Sequence, residues 1–394
     1  MRVLVTSTPG FGHVHPLVPL AEALALAGHD VTWATAAASC ERLSRLGFRT
    51  AAAGIDSEQR RRRLRAGWPH VFQLPGRERR RVLFPALFAS IAAPVMLAEL
   101  RPVMDSVRPD LVVHETAEFA AAPLAAARGI PHVTVGFGGL LSPALLTATQ
   151  EALAELWATE GLEPSPAGGL YDHLYLHPFP ESLGAMPKDV RIQRMRPLGF
   201  DGAQADESPA WLSSLGRDRP LVYATFGTEL GAMAPWAAVI EALSGLDVDA
   251  LLTVGGAVDP AALGAAPPNV RIERYVPQRS VLAVASALVS HAGSGAVLGA
   301  ALHRRPQVCM PLNADQFDNA DAVAAAGVGL VFEPEQAVAC AIAHATTRVL
   351  GEPAFRDAAE RIAGELMAMP TPAAHVATLE ALQGVRGQQS HSRP

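Results

Sequence analysis

The sequence contains few cysteines and no segment with the pattern of a leader peptide or a membrane span. Its three cysteines, Cys40, Cys309 and Cys340, are widely spaced and form no CxxC pair. Without a CxxC pair or an even number of cysteines, neither a cysteine-based zinc site nor a disulfide framework is expected. Residues 1–5 lead directly into an apolar strand, and no run of eighteen or more apolar residues occurs. We therefore expect a cytoplasmic protein with no membrane partner.

Length and charge set the next limits. A chain of 394 residues is too long for one ordinary domain and suits two of medium size. Hydrophobic residues make up 49% of the sequence and charged residues 18%, a balance typical of globular proteins. The net charge of −6 is opposite in sign to the surface that nucleic-acid binding favours, so no nucleic-acid partner is expected.

Short β-branched runs alternate with longer Ala- and Leu-rich stretches, which predicts an α/β protein with parallel sheets. A first series of strands is predicted at 2–6, 30–35, 49–53, 110–114 and 132–135, with helices over 16–27 and 117–128. A second series is predicted at 221–225, 250–254, 270–274, 286–290 and 307–310. The Pro- and Gly-rich residues 177–220 between them predict a linker followed by a short helix at 209–215.

The loop after the first strand contains Gly10, Gly12, His13 and His15. Its glycines invite comparison with a dinucleotide-binding fingerprint, but the third glycine and the acidic residue after the second strand are missing, which disfavours an NAD site. The loop does place His13 at the carboxyl end of the first strand, where open α/β sheets bind ligands. A single loop histidine can be structural or catalytic, so other residues must decide.

A second Gly-rich turn follows the strand that ends at Ser290. The small residues 292–296 let the main chain approach a ligand closely, and a helix is predicted from about 295 to 302. Free amides and the positive end of a helix dipole bind anions at such a position. A simple tight turn is the alternative, but it does not require the histidine, serine and glycines that occur here together.

The stretch 274–320 resembles the nucleotide-sugar donor motif of the family 1 glycosyltransferases. Within that family it is most similar to the bacterial enzymes that decorate macrolides, enediynes and other antibiotics. The resemblance extends over nearly the whole chain and is weakest at 55–95 and 138–175. The other matching stretches are Phe11-Gly12-His13 with Pro16, the strand 109–115, Trp211-Leu212 before Arg219-Pro220, and Phe226-Gly227-Thr228.

The resemblance implies the GT-B fold, in which two Rossmann-like domains with doubly wound parallel sheets face a cleft. Residues 1–203 would form the acceptor-binding domain with the linker, and residues 204–394 the donor-binding domain. The last helix of such proteins can return to the N-terminal domain.

The resemblance also implies a catalytic pair. His13 would be the general base, since an imidazole is well suited to remove a hydroxyl proton near neutral pH. Many relatives orient this histidine with an aspartate near residue 110. Here Glu115 occupies that place, while Asp110 is expected at the strand start and is discounted. An exposed loop carboxylate is the alternative interpretation of Glu115.

The donor would be bound mainly by the second half of the chain. The segment that starts at Tyr275 is assigned to the nucleotide base, and the Gly-rich turn after Ser290 is assigned to the diphosphate. Asp315 and Gln316, which follow the next strand, are assigned to the sugar hydroxyls. Asn313 and Asn319 are weaker candidates, since either can cap a turn or helix. The assigned donor-binding residues are Gly12, Thr228, Tyr275, Val276, Gln278, His291, Gly293, Ser294, Gly295, Asp315 and Gln316.

The implied reaction is an inverting, metal-independent transfer of a hexose or deoxyhexose from a TDP- or UDP-sugar to a hydroxyl of a small lipophilic natural product. No cofactor beyond this nucleotide-sugar co-substrate is expected. Asp247-Val248-Asp249 has the DxD spacing of metal-dependent sugar transferases, but it precedes a strand far from the donor motif. His13 and His15 lack a third metal ligand.

Three other functions compete with this assignment. A sugar-nucleotide epimerase or hydrolase of the same fold would need no lipophilic acceptor pocket. The apolar stretches 83–96 and 137–141 favour such a pocket, and therefore a transferase, but they could equally belong to the core. A non-catalytic partner of a true transferase would have little need of His13, His291, Asp315 and Gln316 together. A dehydrogenase is disfavoured because the sequence lacks the dinucleotide-binding fingerprint.

The arginine-rich residues 57–82 predict a helix with a solvated face, or alternatively a segment that covers or recognises the acceptor. No oligomeric state follows from the sequence.

Overall fold

The computed structural model describes residues 1–199, 208–227 and 231–383. Within them the chain forms two compact units. The first contains residues 1–178, 186–199 and 370–383, and the second contains residues 179–185, 208–227 and 231–369. The predicted domain boundary at 203/204 lies outside the described residues.

The first unit is built on a parallel seven-stranded sheet of order β3-β2-β1-β4-β5-β6-β7. Because helices cover both faces of such a sheet, its central strands are almost continuously apolar. Leu4 and Val112 pack into the core on one face, whereas Val5 and Val113 pack on the other. The strands are β1 (Arg2–Thr6), β2 (Asp30–Thr35), β3 (Arg49–Ala52), β4 (Leu111–Glu115), β5 (His132–Val135), β6 (Leu174–His177) and β7 (Ile192–Arg194).

The helices of this unit connect the strands in the crossover pattern of parallel sheets. A 3-10 turn at His15–Leu17 joins the first two helices, and another at Pro69–Gln73 joins the fourth and fifth. The helices are α1 (Phe11–Val14), α2 (Val18–Leu26), α3 (Ala37–Arg45), α4 (Ser57–Gly67), α5 (Gly76–Phe84), α6 (Ala93–Val107), α7 (Ala121–Ala127) and α8 (Pro143–Thr159).

A continuous helical stretch runs from Gly76 to Val107 through α5, a π-helical segment at Pro85–Ala92, and α6. Among the described residues it is the one helix whose length and mean hydropathy of 1.8 would allow it to cross a membrane. More than half of its most apolar window is buried inside the protein. Its residues Met96, Leu97 and Leu100 belong to the core beside β1 and β4.

The second unit has a parallel six-stranded sheet of order β10-β9-β8-β11-β12-β13. Its strands are β8 (Leu221–Thr225), β9 (Asp249–Thr253), β10 (Val270–Glu273), β11 (Ala287–Ser290), β12 (Gln307–Cys309) and β13 (Gly329–Val331). Its helices are α9 (Trp236–Ser244), α10 (Gln278–Val284), α11 (Ser294–Leu302), α12 (Gln316–Ala325), α13 (Ala339–Gly351) and α14 (Pro353–Ala368).

The chain then returns to the first unit, where α15 (Val376–Gln383) ends the described residues. Leu379 and Leu382 are buried in the core that contains β1 and β2. His29 Nε2 lies 3.0 Å from Glu380 Oε1, which adds a polar contact between α15 and the turn after α2. The resemblance had implied such a return of the last helix.

The predicted α/β class with two parallel sheets is confirmed, and every predicted strand exists within one or two residues of its predicted ends. The interpretation of 177–220 as a linker is partly wrong, because β6 ends at its start and β7 lies inside it. Strands β6, β7 and β13 were not predicted. The predicted loop 7–15 contains the short helix α1, because the main chain turns into a helix directly after Gly10.

In each sheet the strand order reverses beside the first strand of its series, and ligands of open α/β sheets bind at such switch points, outside the carboxyl ends of the strands. In the first unit the switch lies between β1 and β4, and in the second between β8 and β11. At the first switch point, His13 follows β1 and Glu115 ends β4. At the second, Gly227 follows β8 and His291 follows β11.

Candidate active site

His13 lies in α1, the short helix that follows the loop after the carboxyl end of β1. Its amide donates a hydrogen bond to the Gly10 carbonyl at 3.0 Å, and a Cβ on Gly10 would lie only 3.0 Å from His13 Cδ2. The imidazole packs beside the rings of Phe88 and Phe137, with centroid distances of 5.2 and 4.8 Å. With 18% of its side chain exposed, His13 is sheltered but still reachable by a ligand.

Glu115 ends β4 and places its carboxylate beside His13. The distance from His13 Nδ1 to Glu115 Oε1 is 3.1 Å, although the angle is not that of a linear hydrogen bond. The carboxylate is fully buried and accepts hydrogen bonds from the Thr8 hydroxyl at 2.9 Å and from the Ala117 amide. Burial alone would raise the pKa of Glu115, but His13 and these hydrogen bonds outweigh it and hold the pKa below its ordinary value.

An ionised Glu115 fixes the tautomer of its partner. A carboxylate at Nδ1 favours the form of the imidazole that carries its proton there, which leaves Nε2 free to accept another proton. Asp110 takes no part, because it binds the main chain and guanidinium of Arg2 at the start of β4. The structure therefore brings together the two residues that the sequence assigned to catalysis.

Glu118 is a second buried carboxyl that the sequence analysis missed. It accepts hydrogen bonds from the Thr6 hydroxyl and, at 2.7 Å, from the Ala120 amide. Burial raises the pKa of Glu118 to about 7, and the nearby charge of Glu115 adds to this shift while the hydrogen bonds oppose it. The available signal was an acidic residue three positions after Glu115 at the same strand end.

A small apolar pocket lies at this edge of the first sheet. Thr8 and Glu118 contribute its polar groups, and Phe88 and Met96 come from the long helical stretch. Both apolar segments contribute to the core, and each also places an aromatic ring beside His13. Phe88 and Phe137 contact His13, whereas Leu83, Ile91 and Leu141 are buried.

Replacing Glu118 by glutamine is expected to stabilise the protein increasingly as the pH rises. Because the pKa of this carboxyl is higher in the folded than in the unfolded protein, the wild-type protein becomes less stable as the pH rises from the unfolded value of about 4.5 to the folded value of about 7. Glutamine does not titrate and avoids this loss. The difference in unfolding free energy between Glu118→Gln and wild type should grow by up to about 3 kcal/mol from pH 5 to pH 8. Urea unfolding at several pH values measures it.

Glu365→Gln, in the second unit, is the control for that series. Because the pKa of Glu365 is depressed and its partners are Ser182 and Arg361, the carboxyl is ionised in both folded and unfolded protein above pH 5. Its replacement should change stability by an amount that stays constant from pH 5 to pH 8. A Glu118→Gln difference that is equally flat would show that Glu118 is ionised in the folded protein throughout this range.

In the second unit, His291 follows β11 and lies between two glycines. A Cβ on Gly293 would be 2.5 Å from His291 Nε2, and one on Gly227 would be 3.0 Å away. Gly293 caps the start of α11, so the imidazole lies beside the free amides of that helix. Burial lowers the pKa of His291 to about 4, against the opposing charge of Asp315. At neutral pH the ring is therefore an uncharged hydrogen-bonding group.

The residues assigned to the donor sugar are tied to this turn. Ser294 Oγ donates to Asp315 Oδ2 at 2.6 Å, and Asn319 Nδ2 donates to the same oxygen at 2.8 Å. Gln316 is buried, and its Oε1 accepts from the amides of Leu312 and Asn313 at 2.8 and 2.9 Å. Only the Nε2 group of Gln316 is left for another partner.

The segment assigned to the nucleotide base has mixed surroundings. The Tyr275 side chain is half exposed, whereas Val276 is buried in the core, so its main chain alone could meet a ligand. Gln278 Nε2 donates to the Gly295 carbonyl at 3.0 Å and links α10 to the first turn of α11. Gly12 lies exposed in α1. The assignment of Thr228 lies outside the described residues.

The described parts of the chain contain no group of three or more His, Cys, Asp or Glu side chains that could hold a metal ion. Asp249 of the DxD-like spacing instead accepts hydrogen bonds from the Gly216 amide at 3.1 Å and from Arg219 at 2.6 Å. It joins the segment before β8 to the start of β9, which is a structural role.

The two Rossmann-like units thus hold a histidine–carboxylate pair in one and a glycine-flanked histidine at a helix start in the other. Residues 237–382 match the family described as "Erythromycin biosynthesis protein CIII-like, C-terminal domain". The elloramycin glycosyltransferase ElmGT of Streptomyces olivaceus is 33% identical over 98% of both chains. The L-demethylnoviosyl transferase of Streptomyces niveus is 31% identical over 95% of this chain and 96% of its own length.

Among solved structures, the glycosyltransferase VinC in complex with dTDP is similar with a TM-score of 0.81 and 25% identity, over 98% of this chain and 100% of that one. The chain belongs to the glycosyltransferases of antibiotic biosynthesis and has their GT-B fold. The predicted family, fold and enzyme class are confirmed, and the dehydrogenase alternative is dismissed.

Proposed function

We propose that the enzyme transfers a hexose or deoxyhexose from a TDP-sugar to a hydroxyl of a small natural product, with inversion at the anomeric carbon, without a metal, and with His13 as general base. The observation that carries the proposal is the 3.1 Å contact between His13 and the buried, ionised Glu115 at the switch point of the first sheet. The name of the relative ElmGT supports a natural-product acceptor, and the dTDP bound to VinC supports TDP over UDP.

In the proposed step, Nε2 of His13 accepts the proton of the acceptor hydroxyl as that oxygen bonds to the anomeric carbon. The bond from this carbon to the diphosphate oxygen breaks, and TDP leaves with the bonding electrons. A single displacement of this kind inverts the anomeric centre. Glu115 stabilises the imidazolium that forms, because its carboxylate faces Nδ1. General-base assistance of this type contributes about 10²–10⁴-fold to the rate.

The leaving diphosphate is assigned to the start of α11. Its free amides and the positive end of the helix dipole meet the developing negative charge without reorganising, which is an effective form of transition-state stabilisation. Since burial keeps His291 uncharged at neutral pH, it would act as a hydrogen-bond donor to a phosphate oxygen. Metal-independent transfer and a cytoplasmic location remain part of this proposal.

Calorimetry with TDP, UDP, GDP and NAD tests the donor assignment. The wild-type enzyme is expected to bind TDP in the micromolar range and NAD not at all. His291→Ala should weaken TDP binding at least about tenfold, the loss of one or two hydrogen bonds to a charged group. His303→Ala, which changes a half-buried histidine at the other end of α11, is the matched control.

Absence of pyrimidine-nucleotide binding by the wild-type enzyme would overturn the proposal and favour a non-catalytic partner of another transferase. The same enzyme assayed for sugar transfer in excess EDTA is expected to keep full activity. A loss of activity that magnesium or manganese restores would contradict metal independence.

A further inference from the structure

The two turns that carry the proposed donor ligands share an uncommon main-chain conformation. Ala292, between His291 and Gly293, has φ 58°, and Ala314, just before Asp315, has φ 56°. Residues with a Cβ rarely adopt this left-handed region, because the side chain crowds the following carbonyl. Such conformations persist where surrounding contacts hold them.

A single buried amide bridges the two turns. Asn319, in the first turn of α12, is fully buried. Its Nδ2 group donates to the Ala292 carbonyl at 3.0 Å, to Ser294 Oγ at 3.1 Å and to Asp315 Oδ2 at 2.8 Å. The reversed amide would place its oxygen against a carbonyl and a carboxylate, so the side chain must present its NH2 group to them.

These bonds select one of the two oxygens of Asp315. Oδ2 accepts from both Asn319 and Ser294, and Ser294 Oγ in turn accepts from Asn319. The carboxylate therefore cannot rotate without breaking two hydrogen bonds, and its other oxygen, Oδ1, is held in a fixed direction. Because Asn319 is buried beneath this network, it can orient Asp315 without touching a ligand.

We propose that Asn319 is a positioning residue for donor selection, which holds Asp315 ready to accept a hydrogen bond from a hydroxyl of the donor sugar and connects that carboxylate to the diphosphate-binding turn. The inference rests on the proposed function, since it presumes a nucleotide-sugar donor. It replaces the earlier interpretation of Asn319 as a weak candidate for direct contact. Substituting Asn319 should therefore weaken binding of the sugar part of the donor more than binding of the nucleotide part.

The test compares two probes, TDP and TDP-glucose, by calorimetry. Asn319→Asp keeps the shape of the side chain but replaces its NH2 group by an oxygen that repels Asp315, and Asn319→Ala removes the group altogether. For both variants the ratio of the TDP-glucose Kd to the TDP Kd is expected to rise about tenfold or more over wild type, in line with the loss of a hydrogen bond to a charged group.

Asn269 supplies a matched control in the same unit. Its Nδ2 also donates to three acceptors, the carbonyls of Leu243, Leu246 and Val248, at 3.0, 3.3 and 3.1 Å. Asn269→Asp should lower the thermal stability, although less than Asn319→Asp does, because Asn269 is only partly buried and faces carbonyls rather than a carboxylate. It should leave the ratio of the two Kd values unchanged.

The outcomes separate the inference from the proposed function. If both Asn319 variants weaken TDP and TDP-glucose equally, or shift the ratio no more than Asn269→Asp does, Asn319 is a purely structural residue and the inference is wrong. If the wild-type enzyme binds neither TDP nor TDP-glucose, the proposed function fails and the inference fails with it.

Discussion

Replacing His13 by alanine is expected to lower the rate of sugar transfer by about 10²–10⁴-fold, the usual contribution of a general base. Among the described side chains packed against His13, Phe88 and Phe137 carry no basic group and the Glu115 carboxylate is fully buried. TDP binding should be nearly unchanged, because the residues assigned to the base and the diphosphate belong to the second unit, and Gly12, the one assigned donor residue of the first, has no side chain for the substitution to disturb. The measurement is kcat at saturating TDP-sugar, with the Kd of TDP from calorimetry.

Two further variants serve as a comparison and a control for the effect of His13→Ala on kcat. Glu115→Ala is expected to lower kcat less than His13→Ala does, because the imidazole keeps its basic nitrogen and loses only its orienting carboxylate. His344→Ala removes an exposed imidazole from α13 and should leave kcat unchanged. Normal transfer by His13→Ala would rule out His13 as the base, whatever the other variants do.

The fold was predictable wherever strands are apolar and longer than four residues. Strands β1, β2, β4 and β8 satisfy this condition, and their β-branched runs stand out in the sequence. The missed β7 has three half-buried residues, Ile192-Gln193-Arg194, at the edge of its sheet, where one side has no neighbour. Strand β13 is another edge strand of three residues. Such short strands are defined by pairing with a neighbour and leave little hydrophobic pattern.

The catalytic pair was predictable from the resemblance to the family 1 glycosyltransferases, because residue type and position at a strand end left His13 undecided. The register of β1 against β4 explains why His13 and Glu115, so far apart in sequence, meet. Glu118 could not be recognised, because its raised pKa depends on burial by packing that no local pattern reports. The roles of Gln316 and Asn319 depend on the path of the turn before α12, so the sequence could not distinguish contact from support.

Substituting alanine for Gly293 is expected to weaken TDP binding at least about tenfold, because the new methyl group would occupy space that His291 needs. Its Cβ would lie 2.5 Å from His291 Nε2 and 2.9 Å from Cε1, far inside normal contact distance. The main chain itself tolerates alanine, with φ −61° and ψ 143° at this position. The ring or the turn must therefore move, and with it the amides at the start of α11. Calorimetry with TDP measures the result.

Gly295, two residues further on in the same turn, separates the position of the ring from the position of the ligand. A Cβ there would meet no protein atom within 4 Å, so Gly295→Ala should fold normally, and replacing glycine within a helix usually stabilises it by about 1 kcal/mol. Any loss of TDP affinity in that variant reports a ligand that approaches the open side of the turn. If Gly293→Ala instead binds TDP within twofold of wild type, the position of the His291 ring does not determine TDP affinity, and the diphosphate must be held by other groups.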